Sequence, residues 1–233
     1  MIYLANPCSP SVRQAMRGGL LGMIDTPAQG NTLEPGTTWC ADNGCFGAGY
    51  PGDLRWLEWL QNHPGDRELC LFATAPDVVG DHAATWERSR PWLPLIREAG
   101  CPAALVAQNG MTVHNWSHWA EIDCLFLGGS MECLPCGYVR PSDDRETRCC
   151  PVCGRTLTEW KLGAAARALV AEANAHGVWV HMGRVNSSKR LQYAMAIGCD
   201  SADGTYLTFG ADKNLPTLLG WLADLREQHA LFA

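Results

Sequence analysis

The sequence predicts an α/β fold, a (β/α)8 TIM-like barrel carrying an inserted zinc ribbon, on three observations. Short apolar runs rich in β-formers recur along the 233 residues, each followed by a polar, glycine-rich turn and a segment of helical periodicity. That rhythm breaks once, between residues 131 and 158, where two Cys-x-x-Cys-Gly pairs stand close together. No Gly-x-Gly-x-x-Gly follows the first apolar run, which counts against a doubly wound dinucleotide-binding sheet.

In order, the strands are expected at residues 2–5, 21–24, 38–41, 69–73, 104–107, 124–127, 178–181 and 200–204, the second being the least marked. Residues 81–100 read as helix, bent or interrupted at Pro91 and Pro94. Leu162, Ala166, Leu169, Val170 and Ala173 form the stripe of a helix lying on a sheet, and Gly177 ends it. The last helix reads as starting at Asn214, an N-cap, with Pro216 in its first turn and Leu215, Leu218, Leu219, Leu222 and Leu225 on one face.

Composition bounds the function. At 47% apolar and 18% charged, the chain has material for one packed domain over residues 1–233, with the ribbon a subdomain at 131–158. No run approaches the roughly 18 apolar residues of a membrane span, and the opening lacks the marks of a secretion signal, so a cytoplasmic location and no membrane partner are expected. A net charge of −6 argues against coating nucleic acid by bulk electrostatics; any such contact must use a local patch.

Twelve cysteines divide into two groups. Seven lie singly and read mostly as small core hydrophobes. Cys133 and Cys136, then Cys150 and Cys153, form two knuckles separated by 13 residues. Each knuckle turns two thiolates toward one tetrahedral ion, and the following glycine permits the tight backbone, so structural Zn2+ is the expected cofactor. Cys149 competes with Cys150, and the knuckle spacing favours Cys150. Four cysteines close the coordination sphere, so this metal is not expected to activate water. Arg140, Arg145, Arg148 and Arg155 make the ribbon the most basic stretch, either a phosphate grip or a solvated loop.

In a barrel, chemistry collects at the C-terminal strand ends. Four of these carry polar residues: Asp42-Asn43-Gly44, Pro76-Asp77-Val78-Val79-Gly80-Asp81, Gln108-Asn109-Gly110 and Asp200-Ser201-Ala202-Asp203-Gly204. A lone Asp before Gly is usually a turn former, whereas several on one rim can supply a nucleophile and a general base.

The order of these motifs resembles the queuine-type tRNA-guanine transglycosylases and, more closely, their 7-deazaguanine DNA transglycosylase relatives, many of them encoded by bacteriophages. The family's Asp-Ser-Gly-Gly-Phe is similar to Asp42-Asn43-Gly44-Cys45-Phe46, its Val-Gln-Gly-Gly to Ala107-Gln108-Asn109-Gly110, its Gly-Gly to Gly128-Gly129, and its Gly-Ile-Asp-x-Phe-Asp to Gly198-Cys199-Asp200-Ser201-Ala202-Asp203. Ala75 to Asp81, Ala104 to Gln108 and Val180 to Ser187 resemble the DNA-acting branch in particular.

The resemblance implies that Asp203 attacks C1′ and displaces guanine, and that Asp42 deprotonates an incoming free 7-deazaguanine such as 7-cyano-7-deazaguanine. It places Asp77, Gln108, Gly128 and the Gly129 amide around the base. Phe46, Tyr206 and Met182 are candidates to stack on it, though each residue type is more often core. A base inside a duplex cannot reach a barrel mouth, so the DNA guanosine must be flipped out or single-stranded. Arg184, Asn186, Ser187, Lys189 and Arg190 suit either phosphates or a capped, solvated helix start; His181 suits either a sugar or phosphate contact or a structural role. The tRNA enzymes carry their cysteine cluster after the nucleophile, whereas no cysteine follows Asp203 here, and the chain is shorter, which favours DNA. The competing readings are a tRNA-guanine transglycosylase, a non-catalytic zinc-ribbon nucleic-acid-binding protein, and a metal-dependent barrel hydrolase.

Overall fold

A computed structural model describes residues 1–45, Gly47 and 49–232, with side chains through Glu227. In chain order the strands are β1 (Ile2–Ala5), β2 (Gly22–Asp25), β3 (Trp39–Ala41), β4 (Cys70–Thr74), β5 (Ala103–Ala107), β6 (Cys124–Leu127), β7 (Met131–Cys133), β8 (Tyr138–Val139), β9 (Thr158–Glu159), β10 (Trp179–Met182) and β11 (Ser201–Asp203). Eight of these close a barrel in the order β1-β11-β10-β6-β5-β4-β3-β2, every pairing parallel. The other three, β8-β7-β9, form an antiparallel sheet that carries the cysteine knuckles. The (β/α)8 barrel with an inserted ribbon is therefore the fold.

Strand parity divides the barrel's two faces. Leu4, Ile24, Cys40, Phe72, Ala104 and Cys124 fill its interior, one from each of β1 to β6 as alternation requires. Their neighbours in sequence, such as Tyr3, Met23, Trp39, Ala73 and Leu105, face the helices.

The helices are α1 (Pro10–Arg17), α2 (Asp53–Gln61), α3 (His82–Ser89), α4 (Leu93–Glu98), α5 (Ala164–Ala175), α6 (Ser188–Ile197) and α7 (Ala211–Phe232). The prolines divide residues 81–100 as expected: Asp81 caps α3 by accepting the Ala84 amide at 3.0 Å, Pro91 falls in the break, and Pro94 opens α4. In α5 the stripe Ala166, Leu169, Val170 and Ala173 is buried, while Leu162 lies in a preceding 3-10 turn.

One expectation needs correction. The last helix starts at Ala211, so Asn214 is no cap and Pro216 sits inside the helix. The Asn214 amide instead donates to the Tyr206 carbonyl at 2.9 Å, and Asp212 in the first turn accepts the Ser11 hydroxyl at 2.6 Å, a tether between α1 and α7 that no local signal contains. Of the single cysteines, Cys40, Cys70, Cys101, Cys124 and Cys199 are buried, but Cys8 is exposed and Cys45 half-buried, because both lie in loops beyond strand ends. No helix among the described residues is long and apolar enough to cross a membrane.

Candidate active site at the barrel mouth

Parity also aims the acids. Cys40 is an interior residue, so Asp42, two positions on, continues the inward face past the end of β3. On β11, Ser201 and Asp203 continue that face from the other side of the mouth, and on β10 His181 does the same. The carboxyls of Asp42 and Asp203 feel each other: burial first, then the charges of Asp203 and Asp77, raise the Asp42 pKa to about 7, against the pull of the Gly44 and Asn43 amides. Asp42 keeps part of its surface open to the mouth although protein surrounds it.

Asp203 is held by a relay. His181 is fully buried, with Nε2 3.0 Å from Asp203 Oδ1 and Nδ1 2.9 Å from Ser201 Oγ. The Trp179 indole N–H donates to the same Ser201 oxygen at 2.9 Å. An indole can only donate, so the consistent order runs Trp179 to Ser201, the Ser201 hydroxyl to His181 Nδ1, and His181 Nε2–H to Asp203. Both ring nitrogens of His181 are thus engaged within the protein, an arrangement that orients the Asp203 carboxyl.

The residues expected around the base are wired to one another. Asp77, 4% exposed, accepts from Asn43 Nδ2 at 2.8 Å on one oxygen and from Gln108 Nε2 at 2.6 Å on the other. Burial pushes its carboxyl up, and these two donors oppose the push. The Gln108 carbonyl accepts the Gly80 amide at 2.8 Å and the Gly129 amide at 3.1 Å. The Gly129 amide expected to read the base is thus spent on Gln108, and the Gly128 amide bonds the Ala107 carbonyl at 3.1 Å. Gly128 matters by its smallness, since a Cβ there would lie 2.6 Å from Val106 and 3.2 Å from Gln108 Nε2. Asn43, to which the sequence assigned no role, ties the Asp42 loop to β4 through the Ala75 carbonyl and Asp77.

Of the stacking candidates, Met182 is fully buried on the helix-facing side, and Tyr206 packs against Trp221 with ring centroids 4.8 Å apart. Phe46 lies outside the described residues.

The segment after β10 divides. Ser187 caps α6, accepting the Arg190 amide at 3.3 Å, and Lys189 points to solvent. Arg190 forms an ion pair with Glu159 and donates to the Arg184 carbonyl at 3.3 Å; the Asn186 amide group donates to Thr205 at 3.4 Å. Arg184 is exposed, with φ of +60°. Lys161, which nothing in the sequence singled out, is buried beside them: Nζ donates to the Gly183 carbonyl at 2.6 Å and lies 3.5 Å from Glu159, and burial pushes its pKa down to about 8.

The four expected cysteines converge. Sγ–Sγ separations are 3.4 Å for Cys133–Cys153, 3.2 Å for Cys136–Cys150 and 3.7 Å for Cys136–Cys153, and all four sulfurs lie within 4.8 Å of one another. Tetrahedral ligands at about 2.3 Å from zinc stand roughly 3.8 Å apart, so this donor set fits a metal ion such as zinc. The knuckles are alike: the Gly137 and Gly154 amides bond the carbonyls of Cys133 and Cys150, both at 2.8 Å, with φ of +71° and +73°. Cys149 is exposed and bridges Thr156 instead. The ribbon docks on the rim through Asn109, which accepts the Ser130 amide at 2.7 Å and donates to Glu132 at 2.9 Å.

No family model matches the chain, and no curated protein matches it. Among solved structures, a deoxyribose phosphate aldolase from Aeropyrum pernix is similar at 14% identity, covering 89% of this chain and 85% of that one, with a TM-score of 0.47. A mandelate racemase/muconate lactonizing protein from Herpetosiphon aurantiacus is similar at 11% identity over 88% of this chain, which spans 54% of that protein's length, with a TM-score of 0.45. The barrel is established by the strand order itself.

Proposed function

We propose that the protein is a base-exchange enzyme that replaces guanine in DNA with a free 7-deazaguanine. The observation that carries this reading is the pair of inward carboxyls in unlike surroundings: Asp42 with a pKa near 7, and Asp203 gripped by a histidine that is itself oriented. In the first displacement an Asp203 oxygen forms a bond to C1′ as the C1′–N9 bond breaks and guanine departs with the electron pair, taking a proton from Asp42. In the second, Asp42 removes the N9 proton of the incoming base, whose nitrogen bonds C1′ while the ester to Asp203 breaks. Two inversions retain the configuration, as in retaining glycosidases. A base of pKa about 7 exchanges protons readily at neutral pH. The Asp77, Gln108 and Asn43 network offers acceptors to a purine edge, with both Asn43 amide hydrogens and one of Gln108's committed within the protein.

The four cysteines would hold zinc, which supplies no chemistry here and stabilises the ribbon on the rim. The test is incubation with labelled 7-cyano-7-deazaguanine and either DNA or tRNA. Label should enter DNA, a denaturation-resistant protein–DNA adduct should form, and Asp203→Asn should abolish both, by at least ~10³-fold. Label entering only tRNA would overturn the substrate; absence of adduct and label with either would leave the ribbon-bearing nucleic-acid-binding protein.

A further inference from the structure

Between the ribbon and the barrel rim lies a cavity of about 440 Å³. Three separate parts of the chain bring cations to its wall: Arg140, Arg145 and Arg148 from the ribbon, Lys161 from the turn after β9, and Arg184 and Arg190 from the segment after β10. Among the described residues that line it, Glu159 is the acid that answers them, and it is engaged by Arg190 and Lys161. Asp203 and Asp42 at the mouth and Asp144 on the ribbon also face these cations, but the cavity wall itself carries six cations and one carboxylate in a chain of net charge −6, a local excess that favours an anion. The Arg140 Nε is buried without a hydrogen-bond partner, although one of its terminal nitrogens reaches the Thr147 carbonyl at 3.3 Å. The cavity adjoins the mouth. Lys161 is bonded to the Gly183 carbonyl, and Gly183 passes so near Asp203 that an added Cβ would lie 3.3 Å from its Oδ1.

We infer that this cavity seats the phosphodiester groups flanking the nucleotide that enters the mouth, with the ribbon as one wall and the rim as the other. The inference rests on the base-exchange reading for the identity of the strand. Its cations lie along a wall built from three segments, which suits a run of linked phosphates better than one compact ion, and arginine forks suit phosphate oxygens. The set joins parts of two that the sequence suggested separately: Ser187 and Lys189 leave the rim segment, Arg155 leaves the ribbon's basic stretch, and Lys161 enters.

The experiment is fluorescence anisotropy of a labelled, guanine-containing single-stranded oligodeoxynucleotide, without free base so that no turnover occurs. It compares wild type, Arg145→Ala, Arg184→Ala, their combination, and the control Arg55→Ala on the exposed face of α2. Each cavity variant should weaken binding about fivefold and lower the slope of log K against log salt by about 0.7, the pair adding, while the control stays within twofold. Metal content and circular dichroism verify folding, and Arg145→Glu, changed at an exposed loop position, should weaken binding further. Cavity variants that bind no worse than Arg55→Ala would overturn the inference. So would inorganic phosphate or guanosine monophosphate competing as well as the oligonucleotide, since the occupant would then be a small phosphate. Binding that needs the cavity without any base exchange would remove the enzymatic reading and keep this one; exchange that is indifferent to both arginines would do the reverse.

Discussion

The barrel mouth and the ribbon assemble their functional atoms in opposite ways. Asp42 and Asp203 lie far apart in the chain and share one mouth, where the charge of Asp203 acts on Asp42, because eight strands close and alternate side chains point inward. The four cysteines meet within one short insertion because two similar turns, each closed by a glycine amide on the first cysteine carbonyl, face one another. A site of the first kind depends on the closure of the whole barrel, and one of the second kind depends on its local turns and its metal. The two should therefore come apart under perturbation.

Metal removal tests that separation with the largest effect. Chelation or Cys136→Ser should eliminate metal from the chain by elemental analysis and cost the ribbon its order, on the scale of ~10 kcal/mol of binding free energy. The barrel's helical signal and its main thermal transition should survive. Loss of both together would mean the ribbon is part of the barrel's folding unit. The reciprocal perturbation is Gly204→Ala, directly after the proposed nucleophile. A Cβ there would meet Asn186 Oδ1 at 2.4 Å, the Val185 carbonyl at 2.5 Å and Tyr3 Oη at 2.6 Å, so β11 must shift. Urea unfolding should show a loss of about 3 kcal/mol with metal content unchanged.

Asp42 offers a pH test of the mouth alone. Its carboxyl titrates near 7 in the folded chain and near 3.8 when unfolded, so folding favours the protonated form. That contribution is complete below pH 4 and is lost as pH rises through 7. Asp42→Asn stays neutral and should gain on wild type by about 2 kcal/mol between pH 4 and 8, the part-open carboxyl being screened by water. A constant difference across that range would separate Asp42 from the other two acids. The smallest effect belongs to Cys149→Ser: metal stoichiometry unchanged and stability within about 0.5 kcal/mol, because Cys149 is exposed outside the cluster.

Much of the architecture was legible because its signals are local. Residues 2–5 and 124–127 emerged as strands at the expected bounds, the other barrel strands within two residues, and Cys150 rather than Cys149 on its knuckle spacing. The mouth was legible in part. Asp42 and Asp203 stand at strand ends with inward parity, but the sequence left His181 and Ser187 open between a ligand contact and a structural role, and their partners, Asp203 with Ser201 and the Arg190 amide, match the structural one; Gln108 takes the Gly129 amide expected to read the base. A residue letter states what a side chain can donate or accept, and says nothing of which group reaches it first.

By itself, then, the sequence determined what repeats at short range: two-residue alternation in strands, helical stripes, proline breaks and the paired knuckles, all set by backbone geometry within a few residues. Only the tertiary structure decided which polar groups were consumed. The bonds joining Asn43 to Asp77, Asp77 to Gln108, and Lys161 to Gly183 span 22 to 34 residues, and their lengths follow from how the barrel closes. The gathering of ribbon and rim cations around one cavity has the same origin: an insertion carries no record of the surface it folds against.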